Sequence, residues 1–243
     1  EDWYWFDYGN VRFIAYPEPY TGAWLDWSTK AKAVMDAAQA DPAITFIVTF
    51  GHRPAYSSGH HPGSPTLQRY LGALGAAHSK YVLNMNGHTH GYERTYPQSG
   101  VVHVTAGTGG ASLEEDGSCL YLTCIQPAWS AFRAMHLGFL KLRFTASSIE
   151  GGFVCGPAGG GINDVSCSPG TIIDAFTIGT TPVADIQPPT VTMSAPGDGA
   201  VVSGTAAVTA SASDSVGVAG VQFFLDGSSL GVEDTSAPYA VSW

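Results

Sequence analysis

The sequence predicts a layered α/β domain followed by a smaller all-β module. Over the first ninety residues, apolar runs of strand length alternate with two stretches of helical periodicity. Past residue 100 the helix signals fade, and short strands alternate with Gly-rich loops. Near Thr180 the composition changes to TTPVADIQPPTV, whose prolines resist both helix and sheet. We therefore expect an α/β domain at residues 1–180, a linker at 181–189 and a β-module at 190–243.

The elements of the α/β domain follow in order. The segment WYWFDYGNVRFIAYP predicts two strands joined by a turn at Gly9-Asn10. A helix is expected over residues 26–40, stopped by Asp41-Pro42, and a buried strand over 43–50. A second helix near residues 66–78 precedes the strand YVLNM, and the later strands are VVHVTAG, HLGFLKLRF and TIIDAFTIG.

The β-module shows alternating strands divided by Gly-Asp-Gly and Asp-Gly-Ser turns, which predicts a β-sandwich. It resembles the bacterial immunoglobulin-like repeats of secreted enzymes. Residues 190–243 are fewer than the roughly 100 of a complete sandwich, so we expect this module to be partial.

Composition and charge exclude some classes of partner. The 243 residues are 44% hydrophobic, which is ample for a buried core. The net charge of −10 argues against nucleic acid as the main partner. No run of about 18 apolar residues occurs, so the sequence predicts no membrane span.

The four cysteines form two local pairs in the sequence. Cys119 and Cys124 flank LYLT, and Cys155 and Cys167 flank a Gly-rich loop. We predict two short-range disulfides, with four buried free thiols as the alternative. Together with the low content of charged residues, 12%, this pattern is typical of extracellular bacterial proteins.

Histidines follow two apolar strands. His88 and His90 lie in the segment NGHTHGYER after one strand, and His52 follows the strand AITFIVTF. In an extended segment His88 and His90 would share a face, and neighbouring parallel strands would bring His52 to the same edge of the sheet. The spacing therefore predicts a metal site of three imidazoles. From the residues alone, the neighbouring His60 and His61 are a solvated loop pair. We assign the remaining three histidines to packing or to the surface: His78, His103 and His136.

At these residues the chain resembles the calcineurin-like metallophosphoesterases, and among them the purple acid phosphatase branch. The resemblance covers roughly residues 3–150 and rests on three motifs: Gly51-His52, Gly87-His88-Thr89-His90 and Tyr92-Glu93-Arg94. It implies a two-sheet sandwich flanked by helices. It also implies that His52, His88 and His90 bind metal, and that His60 or His61 contacts the substrate phosphoryl group. Tyr92 and Arg94 would brace the loop, and Glu93 would pair with Arg94 or orient a ligand.

The implied reaction is hydrolysis of a small phosphate monoester by two metal ions, drawn from iron, zinc or manganese. An imidazolium as proton donor predicts an acidic optimum. The alternatives are a phosphodiesterase or nucleotidase, and a non-enzymatic protein whose immunoglobulin-like module contacts a cell surface or polymer. The family's earlier motifs, among them Gly-Asp and Gly-Asn-His, are not found in this sequence. The prediction therefore concerns a longer parent protein, and the chain alone is expected to hold metal weakly and to be inactive.

Overall fold

The computed structural model describes residues 3–18, 23–113, 125–158, 166–179, 189–213, 218 and 220–243. The chain divides into two units, Glu1–Thr181 and Pro182–Trp243. The predicted linker at 181–189 lies, up to residue 188, outside the described residues.

A seven-stranded mixed sheet forms the centre of the first unit. In spatial order its strands are β1 (Trp5–Tyr8), β2 (Val11–Ala15), β3 (Phe46–Phe50), β4 (Tyr81–Asn86), β6 (Val102–Ala106), β5 (Tyr92–Thr95) and β7 (Ser130–Ala134). Strands β2, β3, β4 and β6 are parallel, and antiparallel strands extend the sheet on both sides. Because β3 and β4 are parallel neighbours, the loops that follow them begin at the same edge of the sheet.

Two helices, α1 (Ala23–Ala40) and α2 (Pro65–Ala77), cover one face of this sheet. Helix α1 begins at Ala23 rather than at the predicted residue 26, and Trp24 packs edge-on against Trp27 with 6.0 Å between ring centroids. Helix α2 begins where the Ser64 side chain accepts a hydrogen bond from the Leu67 amide. Neither of these described helices is long and apolar enough to cross a lipid bilayer.

A three-stranded antiparallel sheet covers the other face, in the order β10 (Ile172–Gly179), β9 (Ser148–Cys155) and β8 (Gly138–Phe144). Side chains alternate along β3, so Phe46 and Val48 pack in the core with this second sheet while Ile47 packs with the helices. The predicted two-sheet sandwich with outer helices is confirmed, with the difference that both described helices lie on the same face.

The regular elements in the described residues of the second unit are all strands, as predicted. One sheet has the order β11 (Thr190–Ala195), β12 (Ala207–Ser213) and β15 (Tyr239–Ser242), and a hairpin joins β13 (Val221–Leu225) to β14 (Ser228–Asp234). Asp226 and Gly227 form the hairpin turn with φ of 48° and 81°, which is the geometry that Asp-Gly favours. The buried core of this unit consists of Val208, Ala210, Phe223 and Tyr239.

One predicted disulfide lies within the described residues and is confirmed. Cys155, the last residue of β9, is bonded to Cys167, 12 positions further on. This bond closes the loop between β9 and β10. The other predicted pair, Cys119 and Cys124, lies outside the described residues.

Candidate metal centre

Two histidines meet where β3 and β4 end. His52 follows β3 after Gly51, and His88 follows β4 after Gly87. Nε2 of His52 and Nδ1 of His88 are 3.0 Å apart, and their ring centroids are 4.8 Å apart. The Gly87 amide donates to the His52 carbonyl oxygen at 3.0 Å, which ties the two loops together. Two ring nitrogens this close can share a proton or bind one cation.

The loop that carries His88 and His90 is turned, and the predicted extended geometry is wrong here. His88 has a φ of +68°, and the Thr89 amide donates to the Gly87 carbonyl oxygen at 2.8 Å. The Gly91 amide donates to the Thr89 carbonyl oxygen at 2.9 Å, so both bonds close turns between residues two apart. As a result His88 contacts His52, whereas Nδ1 of His90 lies 2.9 Å from the Ser112 carbonyl oxygen.

The predicted histidine pair lies beside the contact between His52 and His88. The rings of His61 and His88 are stacked, with centroids 4.1 Å apart and an angle of 22° between their planes. The His60 ring meets the His61 ring at 4.7 Å. The structure therefore brings together four of the five histidines that the sequence singled out for chemistry.

No three histidines place ring nitrogens within 4.8 Å of one another in the described part of the chain. Within the described ranges, only His136, Cys155 and Cys167 place three metal-ligating atoms within 4.8 Å of one another. Those two cysteines are bonded to each other, so neither offers a thiolate. The convergence of His52, His88 and His90 on metal stays a prediction.

The chemistry of the available donors fits a cation. The pKa of His88 is lowered, first by burial and then by the positive charges of His61, Arg53 and His52, so its imidazole tends to remain neutral with a lone pair to offer. Arg53 pairs with Glu18 through Nε and Oε2 at 2.9 Å. The other carboxylate oxygen of Glu18, Oε1, is buried and has no hydrogen-bond partner in the described part of the chain. A desolvated carboxylate oxygen of this kind is one that a cation can satisfy.

The three residues of the Tyr-Glu-Arg motif point to two different layers. Tyr92 and Arg94 face the second sheet, where the Tyr92 hydroxyl donates to Asp174 at 2.9 Å and Arg94 donates twice to it, at 2.7 and 2.8 Å. Glu93 faces the opposite side of β5 and accepts hydrogen bonds from Ser58 and Ser130. Adjacent strand residues point to opposite faces, so the predicted pairing of Glu93 with Arg94 does not form.

Two glycines let the loops approach closely. A Cβ on Gly51 would collide with the ring of Tyr16, and a Cβ on Gly107 would collide with the Thr89 carbonyl oxygen. The second contact presses the Gly-rich segment after β6 against the histidine loop. A larger residue at position 51 would have to displace the Tyr16 ring, and one at position 107 would have to displace the backbone of the histidine loop.

The three histidines assigned to packing make other contacts. His78 lies at the end of α2, with Nδ1 2.8 Å from the Leu74 carbonyl oxygen and Nε2 2.9 Å from Asp36. His103 is buried with Nδ1 3.2 Å from the Asn84 side-chain oxygen. His136 is also buried.

Sequence reasoning missed Glu18, Thr89 and Asp174. Thr89 stands between the two histidines of the motif, so its place at the site was open to inference from the sequence. Glu18 lies in no motif, and Asp174 is 80 residues from Arg94, so no local pattern indicates either contact.

Comparison with known proteins finds relatives for both units. Residues 100–161 match the family model described as iron/zinc purple acid phosphatase-like protein C, and residues 189–243 match the bacterial Ig domain. The chain is 29% identical over 172 residues to the protein named probable inactive purple acid phosphatase 1 of Arabidopsis thaliana. The aligned region is 58% of this chain and 26% of that protein.

Among solved structures, the purple acid phosphatase PPD1 from yellow lupin seeds is similar over 73% of the chain and 32% of its own, with a TM-score of 0.54 and 25% identity. GAP50, the anchor in the inner membrane complex of Plasmodium, shares the fold with a TM-score of 0.55 and 22% identity, over 73% of the chain and 54% of its own. The chain thus spans about a quarter to a third of the length of the purple acid phosphatases that it matches. Its first unit is therefore similar to purple acid phosphatase-like proteins, and residues 189–243, called the Ig domain below after the family model that they match, are similar to bacterial Ig domains.

Proposed function

We propose that the first unit contributes histidines to a binuclear metal centre with which the whole protein hydrolyses phosphate monoesters. The observation that carries the proposal is the 3.0 Å approach of His52 Nε2 and His88 Nδ1 beyond the ends of two parallel strands. The similarity to purple acid phosphatases supports both the metal and the reaction class.

The residues divide into ligands and substrate contacts. His52 and His88 would bind one metal ion, and His90 would bind the other with its orientation set by the Ser112 carbonyl oxygen. Imidazole and carboxylate donors suit iron, zinc or manganese. When bound, the two ions would activate water and stabilise the leaving oxygen.

His60 and His61 would serve the substrate. His61 stacks on His88, so a phosphoryl group bound at the metal edge would lie within its reach. A protonated imidazole there can donate a hydrogen bond to the phosphoryl group or a proton to the leaving alkoxide. A proton donor of this kind must carry its proton, so this role favours a mildly acidic optimum.

Zinc titration of the chain tests the ligand assignment. Isothermal calorimetry should show that His88→Ala and His52→Ala each weaken zinc binding by about tenfold or more. His78→Gln is the matched control, because His78 precedes β4 whereas His88 follows it, which places the two at opposite edges of the sheet. Equal zinc affinity in all four proteins would contradict the assignment.

Turnover by the whole protein tests the reaction. Metal-loaded whole protein should hydrolyse p-nitrophenyl phosphate between about pH 4 and 8, faster than it hydrolyses bis-p-nitrophenyl phosphate. The chain alone should hydrolyse neither. Faster turnover of the bis-ester would indicate a phosphodiesterase.

A second candidate is a non-catalytic protein. The Arabidopsis relative is named a probable inactive phosphatase, and the Ig domain of this chain could carry a binding activity of its own. Metal binding by the whole protein without turnover of either ester would favour this candidate over the enzyme.

The place of action that we propose is outside a bacterial cell, where the Ig domain contacts a surface or polymer. The disulfide between Cys155 and Cys167 and the match to the bacterial Ig domain support this. Recovery of the native protein from the medium with this disulfide formed would agree, and recovery from the cytoplasm with both thiols free would contradict it.

A further inference from the structure

We propose that Glu93 is a positioning residue that acts with Thr89 to hold the His60-His61 loop against the metal centre. The inference rests on the proposed function, because it concerns how the substrate-contacting histidines reach the metal ligands. The hydrogen bonds of Glu93 and Thr89 would then be the cause of the stacking of His61 on His88. The Tyr-Glu-Arg motif would have two separate roles, one on each face of β5.

The first tie is made by the Glu93 carboxylate. Glu93 is 1% exposed, and its Oε2 accepts a hydrogen bond from the Ser58 amide at 2.7 Å. Its Oε1 accepts from the Ser58 hydroxyl at 2.7 Å and from the Ser130 hydroxyl at 2.6 Å. Ser58 is two residues before His60, so the Glu93 carboxylate fixes the loop by hydrogen bonds immediately before the histidine pair.

The second tie is made by Thr89, which lies between the two histidines of the motif. Its hydroxyl is fully buried and donates to the His61 carbonyl oxygen at 2.9 Å. The Ser57 hydroxyl lies 3.0 Å from the same Thr89 oxygen and donates to it. The backbone of His61 is therefore fixed by the residue next to His88.

The strand β7 closes the arrangement from the other side. Arg133 stands opposite Glu93 in the register of β5 and β7, and its Nη1 donates to the Ser58 hydroxyl at 3.2 Å. Ser58 thus receives contacts from both strands. A loop held at Ser57, Ser58 and His61 has little freedom to move its histidine rings away from His88.

The opposite face of β5 provides a reference for a purely structural role. Tyr92 stacks on Phe153 with ring centroids 4.3 Å apart and donates to Asp174, so both of these contacts lie on the face of β5 opposite to Glu93. Loss of general stability would disturb both faces of β5. Loss of positioning would disturb only the face that carries Glu93.

Nuclear magnetic resonance on the metal-free chain tests the proposal. In Glu93→Gln and in Thr89→Val, the nuclear Overhauser effect between the His61 and His88 rings should disappear, while that between the Tyr92 and Phe153 rings persists. In Glu93→Gln the Ser58 amide should also exchange with solvent about tenfold faster or more. The matched control, Tyr92→Phe, removes one hydroxyl from the other face and should retain the His61 to His88 effect.

Two results would overturn the proposal. One is persistence of the His61 to His88 effect in both Glu93→Gln and Thr89→Val. The other is loss of the His61 to His88 effect together with the effect between the Tyr92 and Phe153 rings, which would make the role of Glu93 structural. Because the measurement uses neither metal nor ester, its failure is distinct from a failure of the zinc titration or of phosphate ester turnover.

Discussion

The two units of the chain differ in where their reactive and polar side chains lie. All eight histidines and all four cysteines occur before residue 168, so the second unit has none. Every buried polar or charged residue in the described part of the chain also lies in the first unit. The four buried residues of the Ig core are aliphatic or aromatic. Protonation and loss of buried ion pairs should therefore act on the first unit and spare the second.

The largest expected difference comes from the buried ion pair between Arg94 of β5 and Asp174 of β10. Asp174 is 5% exposed and receives three hydrogen bonds from Tyr92 and Arg94. Replacing Asp174 with Asn would leave the Arg94 guanidinium partly buried without its counter-charge. We expect Asp174→Asn to lower the free energy of unfolding of the first unit by about 3 kcal/mol or more. Calorimetry should show the thermal unfolding transition of the first unit at a lower temperature, while the unfolding temperature of the Ig domain stays unchanged.

An exposed ion pair on the same small sheet supplies the control. Arg143 and Glu150 are 3.0 Å apart with side chains 70% and 49% exposed, so Glu150→Gln should change stability by about 0.5 kcal/mol or less. Equal effects of the two substitutions, or an equal shift of both transitions in Asp174→Asn, would break the comparison between the units.

Acid should separate the two units next. His103 is buried beside Tyr56, whose ring centroid is 4.8 Å away, and burial lowers the pKa of His103 to about 3. The pKa of an unfolded histidine is about 6.5. The neutral ring therefore gives its full stabilisation above pH 6.5 and loses it progressively as the pH falls toward 3. At pH 4 the loss for the first unit should be about 3 kcal/mol.

The second unit has a different acid limit. The pKa of Asp234 is lowered by hydrogen bonds from the Ala240 and Ser236 amides, so its contribution to stability is lost only as the pH falls below the ordinary aspartate value of 3.8. In thermal melts, lowering the pH from 7 to 4 should therefore reduce only the unfolding temperature of the first unit. His103→Gln should make that temperature less dependent on pH. An equal fall in the unfolding temperatures of both units would contradict the assignment of this acid sensitivity to His103. The acidic optimum that we propose for catalysis must lie above the pH at which His103 becomes protonated.

How much could be predicted from the sequence depends on how local each feature is. Alternating apolar patterns predict strands, and parallel pairing of β3 with β4 brings His52 and His88 together without further information. Helical spacing likewise predicts both helices, because Trp27, Leu71 and similar residues bury one face of each. These features depend on residues fewer than about five positions apart or on a general rule of sheet topology.

The unpredicted features depend on contacts between distant segments or on exact turn geometry. The positive φ of His88 follows from tight turns that spacing alone does not indicate. Ser58 contacts Glu93 from 35 positions away, and neither residue belongs to a periodic pattern that would suggest the pairing. The list of candidate histidines therefore predicts the contact between His52 and His88 but not the stacking of His61 on His88.

The smallest expected difference lies within the Ig domain itself. Val208 is 7% exposed in the core of this unit, whereas Val232 is 86% exposed. Val208→Ala should lower the free energy of unfolding of the second unit by about 2 kcal/mol, because it removes two buried methyl groups and leaves a cavity. Val232→Ala, the same chemical change at the surface, should alter it by about 0.5 kcal/mol or less. Neither substitution should move the transition of the first unit in a calorimetric scan of the whole chain. A shift of that transition in Val208→Ala would mean that the units unfold together, and the separate responses to acid and to Asp174→Asn would then fail for the same reason.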